Sequence, residues 1–362
     1  MGFGKAPIYP LSELAAAILG EKADMILFRP KRKCKKIAFI GLISLFLRLS
    51  KPSIFMNTHA NFVWNPSEGI DLGFFVIRYY SLMFVIAFGL GWYLMKKIFE
   101  RENESIEKLD SLFIWTVLST LLGARLGHVF FYDWEYYRNH LSEILLPFRF
   151  DPVFEFTGFQ GLASHGAAIA IILSMYFFSK NIMKRPLLWV LDRVVIPVAS
   201  GAVFVRIGNF FNSEIVGNTT SNPLGIRFVR DQFSAREAVS LTQKPSVKEA
   251  YQAICTDPNF STLLAQVPAK HPAQLYESIS YVVVFVVLYF LYWKTNIRER
   301  LGFLFGLFLI LLWSVRFMVE YVKESQGGFE AYLGQFSTGQ WLSIPFILVG
   351  IYFVFTAEKP IE

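Results

Sequence analysis

Val205-Arg206-Ile207-Gly208-Asn209-Phe210-Phe211-Asn212-Ser213-Glu214-Ile215-Val216-Gly217 closes an apolar run that begins near Pro186. Arg206, Asn209, Asn212 and Glu214 fall close together at the mouth of that run. Ionisable groups there are costly unless they face a partner, a cavity or a substrate. The expectation is a membrane protein that turns this cluster on something polar or anionic.

Composition supports the membrane. Of 362 residues, 54% are hydrophobic, only 17% are charged, and 38 are Phe. The mean hydropathy is +0.42. A soluble domain carries roughly a quarter charged residues. Several apolar runs reach the roughly 20 residues that span a bilayer core. The expected fold class is therefore an all-α polytopic membrane protein. The net charge of +7 is local: residues 1–55 hold ten Lys/Arg and three acids, and the remainder holds 25 of each sign. It gives no argument for nucleic acid. Cys34 and Cys255 make no disulfide framework or metal spacing, and the five histidines lack zinc-type pairing.

Seven transmembrane spans are expected, at about 72–95, 111–132, 160–179, 186–211, 274–293, 302–323 and 339–356. Lys96, Lys97, Arg101 and Lys108 follow the first span. Lys180, Lys184 and Arg185 follow the third, and Lys294, Arg298 and Arg300 the fifth. Short basic links read as cytoplasmic, which gives an N-out, C-in layout. The Pro-containing link 212–273 is too long for a bare loop and reads as an extramembrane arm on the outer face. Residues 1–55 fit poorly. Ile37–Leu47 is too short to span, and Arg48 and Lys51 stand where a cleavage site belongs. The expectation is that 1–55 is a basic extension and that the natural start is Met56, with 56–362 forming the seven-span domain.

Polar residues recur inside the spans. Arg78 and Tyr80 sit in the first, Arg125 and His128 in the second, and His165 near the start of the third. Asp192, Arg193, Arg206 and Asn209 sit in the fourth, Gln274, Tyr276 and Glu277 in the fifth, and Arg316 and Glu320 in the sixth. A charge at the centre of a span costs about 2.5–3.5 kcal/mol on insertion scales. In the alternating layout Tyr80, His165, Arg206, Asn209, Glu214, Glu277, Arg316 and Glu320 all fall toward the outer leaflet. They imply one arginine-rich polar cavity suited to a lipid phosphate, because the guanidinium fork matches phosphate oxygens. Structural roles compete: an Arg316–Glu320 ion pair, Asp192–Arg193 as a brace, Arg125–His128 as a helix clamp, and Asn209 as a helix-end cap.

Those residues resemble the prolipoprotein diacylglyceryl transferase family over about residues 60–356. Residues 206–217 look like the family's signature. Arg78-Tyr79-Tyr80, Gly123-Ala124-Arg125-Leu126-Gly127, Ser164-His165-Gly166 and His271-Pro272-Ala273-Gln274-Leu275-Tyr276-Glu277 support it. So do Arg316-Phe317-Met318-Val319-Glu320 and Ser337-Thr338-Gly339-Gln340-Trp341-Leu342-Ser343. Ser81 and Ala167 depart from the family's usual glycines, and 1–55 has no counterpart.

The resemblance implies a multi-pass, monomeric enzyme of the bacterial plasma (inner) membrane with no cofactor and no metal. It implies transfer of a diacylglyceryl group from phosphatidylglycerol to the lipobox cysteine in the signal peptide of a preprolipoprotein. His165 is the candidate base, and Arg206 and Arg316 the phosphate clamp. Glu320 would orient Arg316. Tyr80 and Asn209 would hold the head-group, Glu214 and Gly217 would shape the mouth, and Glu277 would complete the binding set. A concerted route without a dedicated base stays open. The rivals are a secondary transporter for an anionic solute, for which no repeated halves are evident, and a lipid-binding scaffold without chemistry.

Overall fold

A computed structural model of the chain describes residues 62–73, 76–146, 148–149, 155–156, 163–324 and 336–358. The basic extension 1–55 and the start at Met56 lie outside the described residues. Each of the seven expected spans is a helix: α1 Tyr79–Arg101, α2 Ile106–Tyr132, α3 Ser164–Phe178 and α4 Leu187–Asn212, then, beyond a segment of shorter helices that includes α5 Ala235–Thr242 and α6 Val247–Thr256, α7 Ala273–Lys294, α8 Phe303–Val319 and α9 Thr338–Thr356. Six are long and apolar enough to cross a membrane, counting the π turn Ser179–Met183 that extends α3. The seventh, α8, is shorter. The chain is an all-α polytopic membrane protein in its helical part.

Local chemistry sets the helix ends. Ser105 caps α2 by accepting from Lys108 N, and Ser337 and Gln340 form a capping box on α9. Lys184 ends the π turn in the left-handed region. Asp192 acts over a longer range. Its carboxylate accepts from Gly302 N at 2.7 Å and Phe305 N at 2.8 Å. A side chain of α4 therefore caps the start of α8.

The first span begins later than expected. Strands β2 (Gly69–Asp71) and β3 (Val76–Arg78) pair antiparallel, and Tyr79 N bonds Glu68 O at 3.0 Å. A run that is mostly apolar in sequence is thus split between hairpin and helix, and Arg78 stays on the hairpin, exposed. The helix instead continues to Arg101, beyond its apolar part.

α4 packs against α1, α7 and α8, with α9 laid on α8 and α2 paired with α3. The core around it includes Ile98, Phe99, Phe178, Ile196, Ala199, Leu288, Tyr292 and Leu304. α2 and α3 cross closely: a Cβ on Gly127 would lie 2.6 Å from Gly166 Cα, and one on Gly123 would lie 2.6 Å from Gly166 O. Small residues allow that approach in a membrane helix pair.

The segment 212–273 is a folded layer. β1 (Phe62–Trp64) runs parallel to β6 (Ile226–Phe228), which pairs antiparallel with β7 (Ala269–Lys270). A two-residue hairpin, β4 (Phe148–Arg149) with β5 (Glu155–Phe156), lies between α2 and α3. Helices α5 (Ala235–Thr242) and α6 (Val247–Thr256) bury Ala238, Ala250, Tyr251 and Ile254 around Val229, Phe233 and Val267. The layer docks on the end of α4, where Trp64 Nε1 donates to Phe210 O at 2.8 Å and the two rings lie 4.2 Å apart.

Candidate active site

The end of α4 turns sharply. Ser213 and Ile215 both adopt left-handed backbone, at φ 57° and 59°. For a β-branched residue this costs on the order of 1–3 kcal/mol and persists only where the surroundings hold it. The turn sends 216–218 between two other segments. Gly217 N bonds His271 O at 2.8 Å, and Asn218 N bonds Val322 O at 2.8 Å. A Cβ on Gly217 would sit 2.6 Å from His271 Cβ and 2.7 Å from His271 O. Gly217 is therefore where three backbones meet, and only hydrogen fits.

This junction brings the ends of α4, α7 and α8 together. Arg206 Nε pairs with Glu277 Oε2, whose side chain is 1% exposed. Arg206 Nη1 donates to Asn209 Oδ1 at 3.1 Å, and Asn209 Nδ2 donates to Glu214 Oε1 at 2.7 Å. Gln274 Nε2 donates to Glu214 O at 2.6 Å. Tyr80, in the first turn of α1, lies beside Asn209, Arg206 and Glu214, and its ring packs on Gly208. Tyr281 is buried beside Arg206, Glu277 and Arg316. The result is a relay, Glu277–Arg206–Asn209–Glu214, that fixes one arginine from both sides.

Arg316 is held differently. Its guanidinium lies 5.6 Å from the Trp313 ring centroid, and its buried Nε has no hydrogen-bond partner. Among the described residues it makes no ion pair within 4.0 Å. The spacing of Arg316 and Glu320 suggests an ion pair between them, but Glu320 Oε2 lies 3.5 Å from Lys323 Nζ instead. The helix ends at Val319 and the chain turns back on itself, so α-helical spacing no longer decides the partner. Glu320 also packs on Gly339 at the start of α9, where any Cβ would strike its carboxylate.

His165 stands in the first turn of α3, beside the Gly166 crossing, and its side chain lies outside the described residues. Tyr80, Arg206, Asn209, Glu214, Glu277, Arg316 and Glu320 gather at one end of the bundle, and Gly217 forms their backbone seam. Arg125 belongs elsewhere: its Nε and Nη2 donate to Ile144 O and Glu143 O, at 2.8 and 2.6 Å, and pin the loop after α2. His128 lies 3.9 Å from Asp133 in that loop. Two members of the cluster were not singled out by sequence. Tyr281 reads as ordinary helix filling. Lys323 reads as a flanking charge, yet it is 6% exposed and faces Glu277, Glu320, Arg316 and Arg206.

At the rim, Lys270 Nζ holds Asp231 at 2.7 Å and Glu324 at 3.0 Å. Burial alone would lower its pKa, but those two carboxylates raise it above the usual lysine value. Burial holds the His271 imidazole below its usual value. Among the described residues, no group of three or more His, Cys, Asp or Glu is placed to hold a metal ion.

The cluster gathers guanidinium groups and carboxylates at one end of a bundle of apolar helices, an arrangement suited to a phosphate ester. Comparison with known proteins points the same way. Residues 68–356 match the family model described as prolipoprotein diacylglyceryl transferase. A phosphatidylglycerol–prolipoprotein diacylglyceryl transferase of Chloroherpeton thalassium is 34% identical over 307 residues, covering 84% of this chain and 97% of its own. Its counterpart in Tolumonas auensis is 37% identical over 297 residues, covering 82% and 97%. That of Bacteroides fragilis is 35% identical over 299 residues, covering 82% and 95%.

Proposed function

The chain belongs to the prolipoprotein diacylglyceryl transferase family, and from that premise we propose that it moves the sn-1,2-diacylglyceryl group of phosphatidylglycerol to a prolipoprotein cysteine thiol, the first step of lipoprotein maturation. The observation that carries this reading is the pairing of a clamped arginine, Arg206, with a less engaged one, Arg316, at one end of a seven-helix bundle.

The lipobox cysteine supplies the nucleophile. Its sulfur attacks the glyceryl carbon that carries the phosphate, an S–C bond forms, and the C–O bond breaks. The bonding pair stays on the phosphate oxygen, and glycerol phosphate leaves. A thiol titrates near 8.5 and attacks as thiolate, so its proton must go to a base. His165 is the proposed acceptor. Arg206 and Arg316 bind the phosphate and stabilise the departing charge. Glu277 and Asn209 act on Arg206: both Asn209 side-chain atoms are committed, one to Arg206 and one to Glu214. We read Asn209 as fixing the guanidinium, with Tyr80 and Glu214 lining the head-group side.

The proposed orientation puts this end toward the outer leaflet of a bacterial plasma membrane, with the protein acting as a monomer. The basic residues Lys96, Lys97, Lys184, Arg185, Arg298 and Arg300 lie toward the other ends of the helices and favour the cytoplasm. The test uses purified protein, phosphatidylglycerol labelled in its non-acylated glycerol, and a lipobox peptide. Release of labelled glycerol phosphate should track a diacylglyceryl mass gain on the peptide and vanish with a Cys→Ser peptide. Folded protein that gives no Cys-dependent release would overturn the reading and favour anion transport.

A further inference from the structure

Lys323 is the more deeply buried of two lysines at the arginine end of the bundle, its side chain 4% exposed against 11% for Lys270 at the rim. It faces Glu277, Glu320, Arg316 and Arg206 together. A lysine that deep is costly unless it is paired or used. Its ion pair is loose: Glu320 Oε2 lies 3.5 Å away and accepts no hydrogen bond. By contrast Lys270, a little farther out, holds its carboxylates at 2.7 and 3.0 Å. Lys323 thus carries a charge that its partner does not fully engage.

The charge count around it is informative. Arg206, Arg316 and Lys323 stand against Glu277, Glu320 and, through Asn209, Glu214, so the cluster is neutral with Lys323 and carries a net charge of −1 without it. The lipid substrate is a phosphodiester with one negative charge. Cleavage of its C–O bond makes a phosphomonoester whose second ionisation lies near pH 6, so the leaving group carries close to two negative charges at neutral pH. The thiol proton leaves separately, to the base. Some group must meet that additional charge as it develops. Arg206 is fixed between Glu277 and Asn209. An ammonium on a flexible four-carbon stem, loosely paired and already facing both arginines, is the group free to turn.

We propose that Lys323 receives the leaving phosphate: it pairs with Glu320 at rest and moves to the departing glycerol phosphate, so that the site favours the dianionic product over the monoanionic lipid head-group. This rests on the transferase reading above, and the wild-type transfer assay separates the two: if wild-type protein gives no Cys-dependent transfer, it is that reading that fails.

The test is a set of steady-state constants for wild type, Lys323→Met and Lys323→Arg at pH 8, with sn-glycerol 1-phosphate as product inhibitor. For Lys323→Met the expected result is a kcat lower by roughly 10- to 100-fold, a KM for phosphatidylglycerol within about 3-fold of wild type, and an inhibition constant weakened by about 10-fold. Lys323→Arg, which keeps the charge, should recover most of both losses. An unchanged inhibition constant in folded Lys323→Met overturns the proposal. So does a lowered thermal midpoint in which the folded fraction turns over normally, since that describes a brace. If Lys323→Met does not fold, Lys323→Arg decides: an inhibition constant weakened despite the retained charge also overturns it.

Discussion

Two charged clusters stand at opposite ends of α4, with Arg193 and Arg206 about 20 Å apart along the helix. At the Arg193 end, Asp192 caps α8, Arg193 pairs with Glu102 at 2.9 Å, and Tyr292 donates to the same carboxylate at 2.7 Å. The Arg193 guanidinium also lies 4.1 Å from the Trp189 ring centroid. Of Glu102, Asp192, Arg193 and Tyr292, only Arg193 Nε is a buried atom without a partner. At the Arg206 end, Gln274 Oε1, Glu277 Oε1 and Arg316 Nε are buried without a partner, and Glu277 Oε2 and Glu320 Oε2 have only their ion pairs with Arg206 and Lys323. Burial and residue types are alike at the two ends, and satisfaction is not. Buried polar groups left unpaired cost about 1–3 kcal/mol each, and a fold tolerates a concentration of them where a ligand completes the bonding. The contrast separates the end that holds the bundle together from the end proposed to bind the lipid.

The largest effect that can break this comparison is on turnover. Arg206→Lys and Arg316→Lys should each cut kcat by roughly 10²–10³-fold, with thermal midpoints near wild type, because a point charge cannot replace a two-pronged donor. Arg193→Lys should do the reverse, lowering the midpoint while the folded fraction turns over normally. If Arg316→Lys unfolds the protein and Arg193→Lys abolishes turnover, the two ends have been assigned the wrong way round.

Gly217→Ala tests the seam between the clusters' helices. Its methyl group meets the His271 and Val322 backbone, and overpacking of this kind costs about 1–3 kcal/mol. Loss of both midpoint and activity is expected, since the seam positions α7 and α8. A fully active, equally stable variant would show that the junction can open without consequence.

Asp192→Asn sharpens the structural half. It removes charge from the cap on α8 while keeping its shape, and should cost about 1 kcal/mol, visible as a lower midpoint in detergent with kcat unchanged. A fall in kcat would mean that the two ends communicate through α8.

The smallest effect is a pH dependence at the rim. The pKa of Lys270 is raised by Asp231 and Glu324 against the effect of burial. The folded state therefore holds the proton more tightly than the unfolded chain. The resulting stability is fully present below the unfolded lysine value of about 10.4 and is lost as pH rises through the folded value. The midpoint difference between wild type and Lys270→Met should be constant from about pH 7 to 9 and shrink above about pH 10.5. A difference that grows with pH would contradict the pairing.

Much of this was legible in the sequence, and the rest was not for physical reasons. Hydropathy located all seven helices, because an apolar run long enough to span has few other uses. It misplaced the start of α1, because an apolar stretch satisfies a hairpin and a helix equally until Gly69 and Arg78 pair. Alternation of the helices brought Arg206, Glu277 and Arg316 to one end. It did not reveal that Arg206 prefers Glu277 on α7, or that Glu320 prefers Lys323, because those choices depend on how helix ends meet. Asp192 beside Arg193 reads as a local pair. Its partners are backbone N–H groups 110 residues or more away, and no periodicity encodes them.

The shortness of α8 carries a consequence for the lipid itself. Its 17 residues make about 25 Å of helix, against a hydrocarbon slab of about 30 Å. Asp192 anchors the start of that helix to α4; with that start at the inner boundary, as in the proposed orientation, the shortfall of about 5 Å would fall at the other end, where Arg316 sits. In that orientation the membrane would thin around this corner or leave the arginine below the level of the phosphates. On the proposed reading, a head-group drawn down to Arg316 would already be partly withdrawn from its layer, with its glyceryl carbon lowered toward the apolar helices. In thicker bilayers that descent would be longer, and turnover would report hydrophobic mismatch.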